Sequence, residues 1–132
     1  SISRPTARPV STQHVLLVED DPAVRDATRM LLKVEGYRVF TAGSLAEARA
    51  RAAENPQIDL LVTDYHLTNE ETGTQVITAL RESVGKHLKA VLITGDTSAA
   101  VKELQRDERL RLASKPIRAE ELLGILKSLL AK

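Results

Sequence analysis

The sequence predicts an α/β fold in which five parallel strands are covered by helices on both faces. Three observations carry that prediction. Short aliphatic runs alternate with longer amphipathic stretches from His14 to the end of the chain. Three of the runs, "HVLLV", "IDLLV" and "KAVLIT", are nearly continuous in apolar residues instead of alternating, as strands buried on both faces require. The length, 132 residues with 42% hydrophobic, favours one domain with one core. That core must be aliphatic, because Tyr37, Phe40 and Tyr65 are the only aromatic residues.

Each element follows from its own signals. Residues 1–13, "SISRPTARPVSTQ", have no periodicity and read as a flexible tail or interdomain linker. "HVLLVED" is the first strand, ending in acids. Asp21-Pro22 starts the first helix, with proline at its first position. Val24, Ala27, Thr28 and Leu31 give that helix a core-facing stripe, and Gly36 ends it. "YRVFTA" is the second strand. Ser44 and Glu47 resemble a capping box for a second helix whose inner face is Leu45, Ala48 and Ala52. "IDLLVT" is the third strand, followed by an acidic loop and a helix carrying Val76, Ile77, Leu80 and Val84. "KAVLIT" is the fourth strand, and Val101 and Leu104 mark a weaker helix after it. "LRLAS" is a short fifth strand, and Leu122, Leu123, Leu126 and Leu129 line the last helix.

Composition excludes several classes of function. There is no cysteine, so disulfides, zinc–thiolate sites and cysteine redox chemistry are out. Nineteen basic and eighteen acidic residues leave a net charge of +1, which gives no global electrostatic case for binding nucleic acid or an anionic membrane. No apolar run approaches the roughly 18 residues that span a bilayer, and no signal peptide is visible, so a cytoplasmic domain is expected. The first residue is not Met, which points to a piece of a longer protein.

In a parallel sheet the carboxyl ends of the strands share one edge, and ligands bind beyond it. The chemistry-bearing residues gather at those ends. The first strand ends in Glu19-Asp20, the third in Asp64, the fourth in Thr94-Gly95 and the fifth in Ser114-Lys115-Pro116. Carboxylates at close quarters repel, and a proton or a cation relieves them. An all-oxygen set suits a hard ion, and Mg²⁺ fits best because it keeps waters and leaves room for phosphate oxygens. Lys115 adds a mobile positive charge for the same anion. Thr94 offers a hydroxyl, and nothing hinders the N–H of Gly95. Asp64 then reads as a carboxylate nucleophile of the aspartyl-phosphate kind.

The pieces "LLVEDDPAVR", "DLLVTDYHL", "VLITGD" and "SKP", in that order and each at a strand end, resemble the receiver domain of two-component response regulators from about His14 to Lys132. The resemblance implies a flavodoxin-like, doubly wound (βα)5 sandwich with strand order 2-1-3-4-5. It implies Asp64 as phosphoacceptor, accepting from a phosphohistidine of a sensor kinase or phosphotransfer domain and releasing the group by hydrolysis or onward transfer. Glu19, Asp20, Asp64 and the backbone carbonyl of His66 are then the Mg²⁺ ligands, with Asp20 the direct ligand of the acidic pair. Thr94, Gly95 and Lys115 contact the phosphoryl group. The His66 imidazole points to solvent, and the Lys115-Pro116 bond is cis. The isolated domain is a self-phosphorylating acceptor and not an enzyme in its own right, with no nucleic acid or membrane contact.

Two positions depart from the family pattern. Thr68 stands four residues after the acceptor, where proline is common, and Gly73 comes one residue late, so the loop is expected to be longer. Leu112 stands three residues before Lys115, where an aromatic switch residue is common. Both features resemble receivers of hybrid histidine kinases. A stand-alone single-domain regulator is the alternative, and a Mg²⁺-dependent phosphohydrolase with an aspartyl nucleophile is the rival from another class. Single residues have plainer readings: Asp21 as a helix cap, His14 and His87 as ordinary surface residues, and "RDERLRLASK" as a solvated face.

Overall fold

The computed structural model describes residues 13–55, 57–95 and 106–131. Within them lie β1 (His14–Val18), α1 (Pro22–Val34), β2 (Arg38–Ala42), α2 (Leu45–Glu54), β3 (Leu60–Asp64), α3 (Gly73–Ser83), β4 (Lys89–Thr94), β5 (Leu110–Ser114) and α4 (Ala119–Leu130). The five strands form one sheet in the order β2-β1-β3-β4-β5, and every neighbouring pair is parallel. This is the doubly wound order that the resemblance implies. The expected tail and the weak helix at Val101 and Leu104 fall outside the described residues.

Strand residues alternate between two apolar layers, because successive side chains point to opposite faces. Leu16, Val18, Leu61, Ala90 and Leu92 meet Ala48 and Ala52 of α2 and Val76, Ile77 and Leu80 of α3. Val15, Leu17, Leu60, Val62 and Val91 meet Leu32 of α1 and Leu122, Leu126 and Leu129 of α4. Burial on both faces is why β1, β3 and β4 read as continuous apolar runs.

Local signals fix the helix starts. The Asp21 side chain accepts the N–H groups of Ala23 and Val24, with Pro22 next. Ser44 caps α2 through the N–H of Glu47. Glu47 reaches past the cap to the N–H of Gly43 at 2.7 Å, so the expected box closes one residue early. The reciprocal box belongs to α3, where Thr72 and Gln75 bond each other's backbone.

The stripe expected on α1 needs correction. Leu32 is its buried residue, Leu31 is partly buried, and Val24 and Ala27 are exposed. The helix turns Leu31 and Leu32 toward the sheet, while Val24 and Thr28 line a cleft of about 840 Å³ with Ile117, Leu122, Asp64 and Lys115. The apolar spacing marked the helix correctly, but half of that face borders the functional edge instead of the core.

Candidate functional site

Parallel register assembles the site. Val18 pairs with Thr63, Asp64 with Ile93 and Thr94 with Ser114, so β1, β3, β4 and β5 end together. Backbone bonds carry that order past the strands: the N–H of Glu19 reaches Ala42 O at 3.0 Å, Tyr65 reaches Ile93 O at 2.8 Å, and Lys115 reaches Thr94 O at 3.0 Å. The Lys115-Pro116 bond is cis.

Gly73 permits the helix after the loop to sit this close. A Cβ there would stand 2.5 Å from the carbonyl oxygen of Asp64 and from Leu92 Cδ1. The first residue of α3 must therefore lack a side chain if the helix is to lie against the end of β3.

At the shared edge, Glu19, Asp20 and Asp64 each offer one oxygen, and the three oxygens lie within 4.8 Å of one another. Asp64 is 6% exposed. Lys115 Nζ lies 2.9 Å from its Oδ1 and 3.0 Å from its Oδ2, and donates to Oδ2. Oδ1 is buried and accepts no hydrogen bond despite that proximity. Its charge is met by that ammonium, but no N–H or O–H is aimed at its remaining lone pairs. Such an atom within an all-oxygen acidic cluster fits a hard cation.

The electrostatics express the crowding. Burial, with the charges of Asp64 and Asp20 adding to it, pushes the Glu19 carboxyl up to about 7 against the opposing N–H of Asp21. Burial would also raise Asp20, but hydrogen bonds from Thr68, Glu19 and the N–H groups of Asp20 and Asp21 outweigh it and hold Asp20 below its usual range. Burial pulls Lys115 down, yet its bond to Asp64 and the charges of Asp64, Glu19 and Asp20 keep the ammonium above its ordinary value.

The other anticipated residues are placed as follows. Thr94 is buried at the end of β4, and Gly95 is exposed with open space above it. The His66 imidazole is exposed and stands outside the acidic cluster, its ring edge-on to Tyr65 with centroids 4.8 Å apart. Its backbone bridges to Thr72. Leu112 packs partly buried against the core.

Two contributors were not anticipated. Thr68 Oγ1 donates to Asp20 Oδ2 at 2.8 Å, and Arg25 Nη1 donates to the carbonyl of Glu19 at 2.9 Å. Arg25 lies one helical turn into α1, and its positive charge is invisible as a site feature until the helix folds back over β1. Thr68 carries no sequence signal beyond its departure from proline.

This edge of carboxylates, lysine and threonine on a 2-1-3-4-5 sheet is that of a receiver. Residues 15–127 match the response regulator receiver domain, and the chain belongs to that family. It is 30% identical over 131 residues to the two-component response regulator PprB of Pseudomonas aeruginosa, covering 97% of this chain and 46% of PprB. The chain spans about half the length of PprB and other curated relatives that it matches. Among solved structures, the chemotaxis protein CheY4 of Vibrio cholerae superposes with a TM-score of 0.80 at 28% identity, covering 89% of this chain and 98% of that one. The receiver domain of the hybrid histidine kinase CckA superposes with a TM-score of 0.74 at 29% identity and the same coverage.

Proposed function

We propose that this receiver domain is a phosphoacceptor of a two-component relay, with Asp64 taking a phosphoryl group from a phosphohistidine. The observation that carries this reading is the buried Oδ1 of Asp64, unbonded beside two further carboxylates and within 2.9 Å of the Lys115 ammonium. Glu19, Asp20, Asp64 and the His66 carbonyl would hold Mg²⁺, which when bound offsets negative charge on the phosphoryl oxygens. One Asp64 oxygen attacks phosphorus. An acyl phosphate forms, the P–N bond breaks, and the imidazole nitrogen keeps the bonding pair and takes up a proton. Lys115 follows the charge from the carboxylate to the phosphoryl oxygens, and the Thr94 hydroxyl and Gly95 N–H donate to them. The donor approaches through the open cleft walled by Val24, Pro116 and Ile117. Water or a second histidine then removes the group.

The test is labelling by a small phosphodonor in the presence of Mg²⁺, read as the mass gain of one phosphoryl group. The wild type is expected to label and Asp64→Asn to remain unlabelled; equal labelling of both would remove Asp64 from the role.

Two parent proteins fit this domain. Thr68 and Gly73 at their positions after Asp64, Leu112 and the likeness to the CckA receiver support a hybrid histidine kinase. The relatives, which are response regulators, support a regulator at least as well. The coding sequence on either side of these residues distinguishes them: a histidine kinase core joined to this domain supports the first.

A further inference from the structure

We propose that Thr68 is a positioning residue for the cation site: its hydroxyl fixes the Asp20 carboxylate and ties the conformation of the loop after Asp64 to cation binding. The inference rests on the metal reading given under Proposed function. Thr68 and Asp20 are 48 residues apart in sequence, and their side chains meet at 2.8 Å. The bond uses Oδ2 of Asp20. A carboxylate has a second oxygen, so one can be fixed by the hydroxyl while the ligand set keeps an oxygen for the ion.

The loop geometry delivers the hydroxyl. Thr68–Glu70 form a short 3₁₀ turn in which Asn69 (φ 63°) and Glu70 (φ 62°) are both left-handed. Left-handed backbone is uncommon outside glycine, and Asn tolerates it better than Glu does. Two successive residues of this kind need support from their surroundings. That support comes from three sides. Leu67 N–H bonds Glu71 O at 2.9 Å, closing the turn. Glu71 Oε1 accepts the N–H of Leu45 at 3.0 Å, anchoring the far side of the turn to the start of α2. Thr68 anchors the near side to Asp20. The loop is thus held in a turn fastened to the loop after β1 and to α2, with the Asp20 carboxylate as one fastening point.

Loss of the hydroxyl removes one of the bonds that hold the Asp20 carboxylate, and each ion bound must then reorder it. Groups that hold a metal ligand in place typically contribute about 10- to 100-fold in affinity. The experiment is isothermal titration of the metal-free chain with Mg²⁺ for wild type, Thr68→Val and Thr68→Ser, with the melting temperature of each metal-free protein as the check on folding. Thr68 is exposed, so both variants are expected to fold. Thr68→Val should bind Mg²⁺ about tenfold more weakly and Thr68→Ser within about twofold of wild type. In labelling by a small phosphodonor, Thr68→Val should need correspondingly more Mg²⁺ for half-maximal rate yet approach the wild-type rate at saturation. Equal Mg²⁺ affinity of wild type and Thr68→Val overturns the inference and leaves the phosphoacceptor reading standing. The same holds if Thr68→Ser is as weak as Thr68→Val, since the hydroxyl is then not the agent. Wild type that binds no Mg²⁺ overturns the inference together with the metal reading.

Discussion

At the carboxyl end of the sheet, Glu19, Asp20 and Asp64 bring three carboxylate oxygens within 4.8 Å, with Lys115 bonded to Asp64. At the amino end, Asp107 meets the guanidinium of Arg81, whose Nε and Nη2 donate to the carbonyls of Leu88 and Arg109. The first arrangement raises a carboxyl, Glu19, to about 7. The second lowers one: burial alone would raise Asp107, but Arg81 and the N–H and charge of Arg109 outweigh it. One end of the same sheet gathers like charge around an oxygen that accepts no hydrogen bond. The other balances charge and fastens the entrances of β4 and β5. The contrast separates an edge of crowded like charge from one of balanced charge.

The largest expected effect breaks the functional end. Lys115→Ala removes the cation from Asp64, and the rate of labelling by a small phosphodonor at saturating Mg²⁺ should fall by on the order of 10²-fold. Its fold should persist, because the Lys115 side chain is half exposed.

Next comes the structural end. Arg81→Ala removes the guanidinium from Asp107 and from the carbonyls of Leu88 and Arg109, although Asp107 keeps the N–H of Arg109 and the Arg109 carbonyl keeps that of Ala90, and should cost about 1–3 kcal/mol in urea unfolding. Labelling should survive wherever the protein remains folded.

Glu19→Gln should act in the opposite direction on stability. In metal-free buffer near pH 8 it relieves repulsion and should stabilise by about 1 kcal/mol or less, given solvent screening of a part-exposed group. It should also weaken Mg²⁺ binding in the same titration.

The two ends should further differ in pH dependence. Glu19 has a folded pKa of about 7 against an ordinary 4.5, so the folded state binds the extra proton. Its contribution is complete below about 4.5 and is lost as pH rises toward 7. Asp107 lies below its ordinary 3.8, so its contribution is present above that value and is lost as pH falls through the folded pKa. Melting curves across pH in metal-free buffer should show the neutral-side loss vanish in Glu19→Gln and the acid-side loss shrink in Arg81→Ala.

The contrast also explains what the sequence disclosed. Strands were legible because burial on both faces forces continuous aliphatic runs, and the strand ends then placed Glu19, Asp20, Asp64, Thr94 and Lys115 at one edge. The caps Asp21 and Ser44 were legible because they act within three residues of themselves. The Arg81–Asp107 bond and the Thr68–Asp20 bond were not, since each joins residues far apart and an Arg, Asp or Thr on its own reads as surface. The inner face of α1 was misjudged for a related reason. Periodicity gives a helix an apolar side, but only packing decides whether that side meets the sheet or a cleft, and Val24 is 47% exposed in the cleft that Asp64 also lines.

The central claim is that the crowded carboxylates form a cation site and not merely a tolerated repulsion. Its most direct test is the melting temperature of metal-free protein at neutral pH with and without Mg²⁺. A ligand that binds only the folded state stabilises it in proportion to the logarithm of its concentration. The wild type should melt at higher temperature as Mg²⁺ is added, and Asp20→Asn combined with Asp64→Asn should show no such shift. A wild type whose melting temperature does not respond to Mg²⁺, or a double variant that responds equally, would contradict the account.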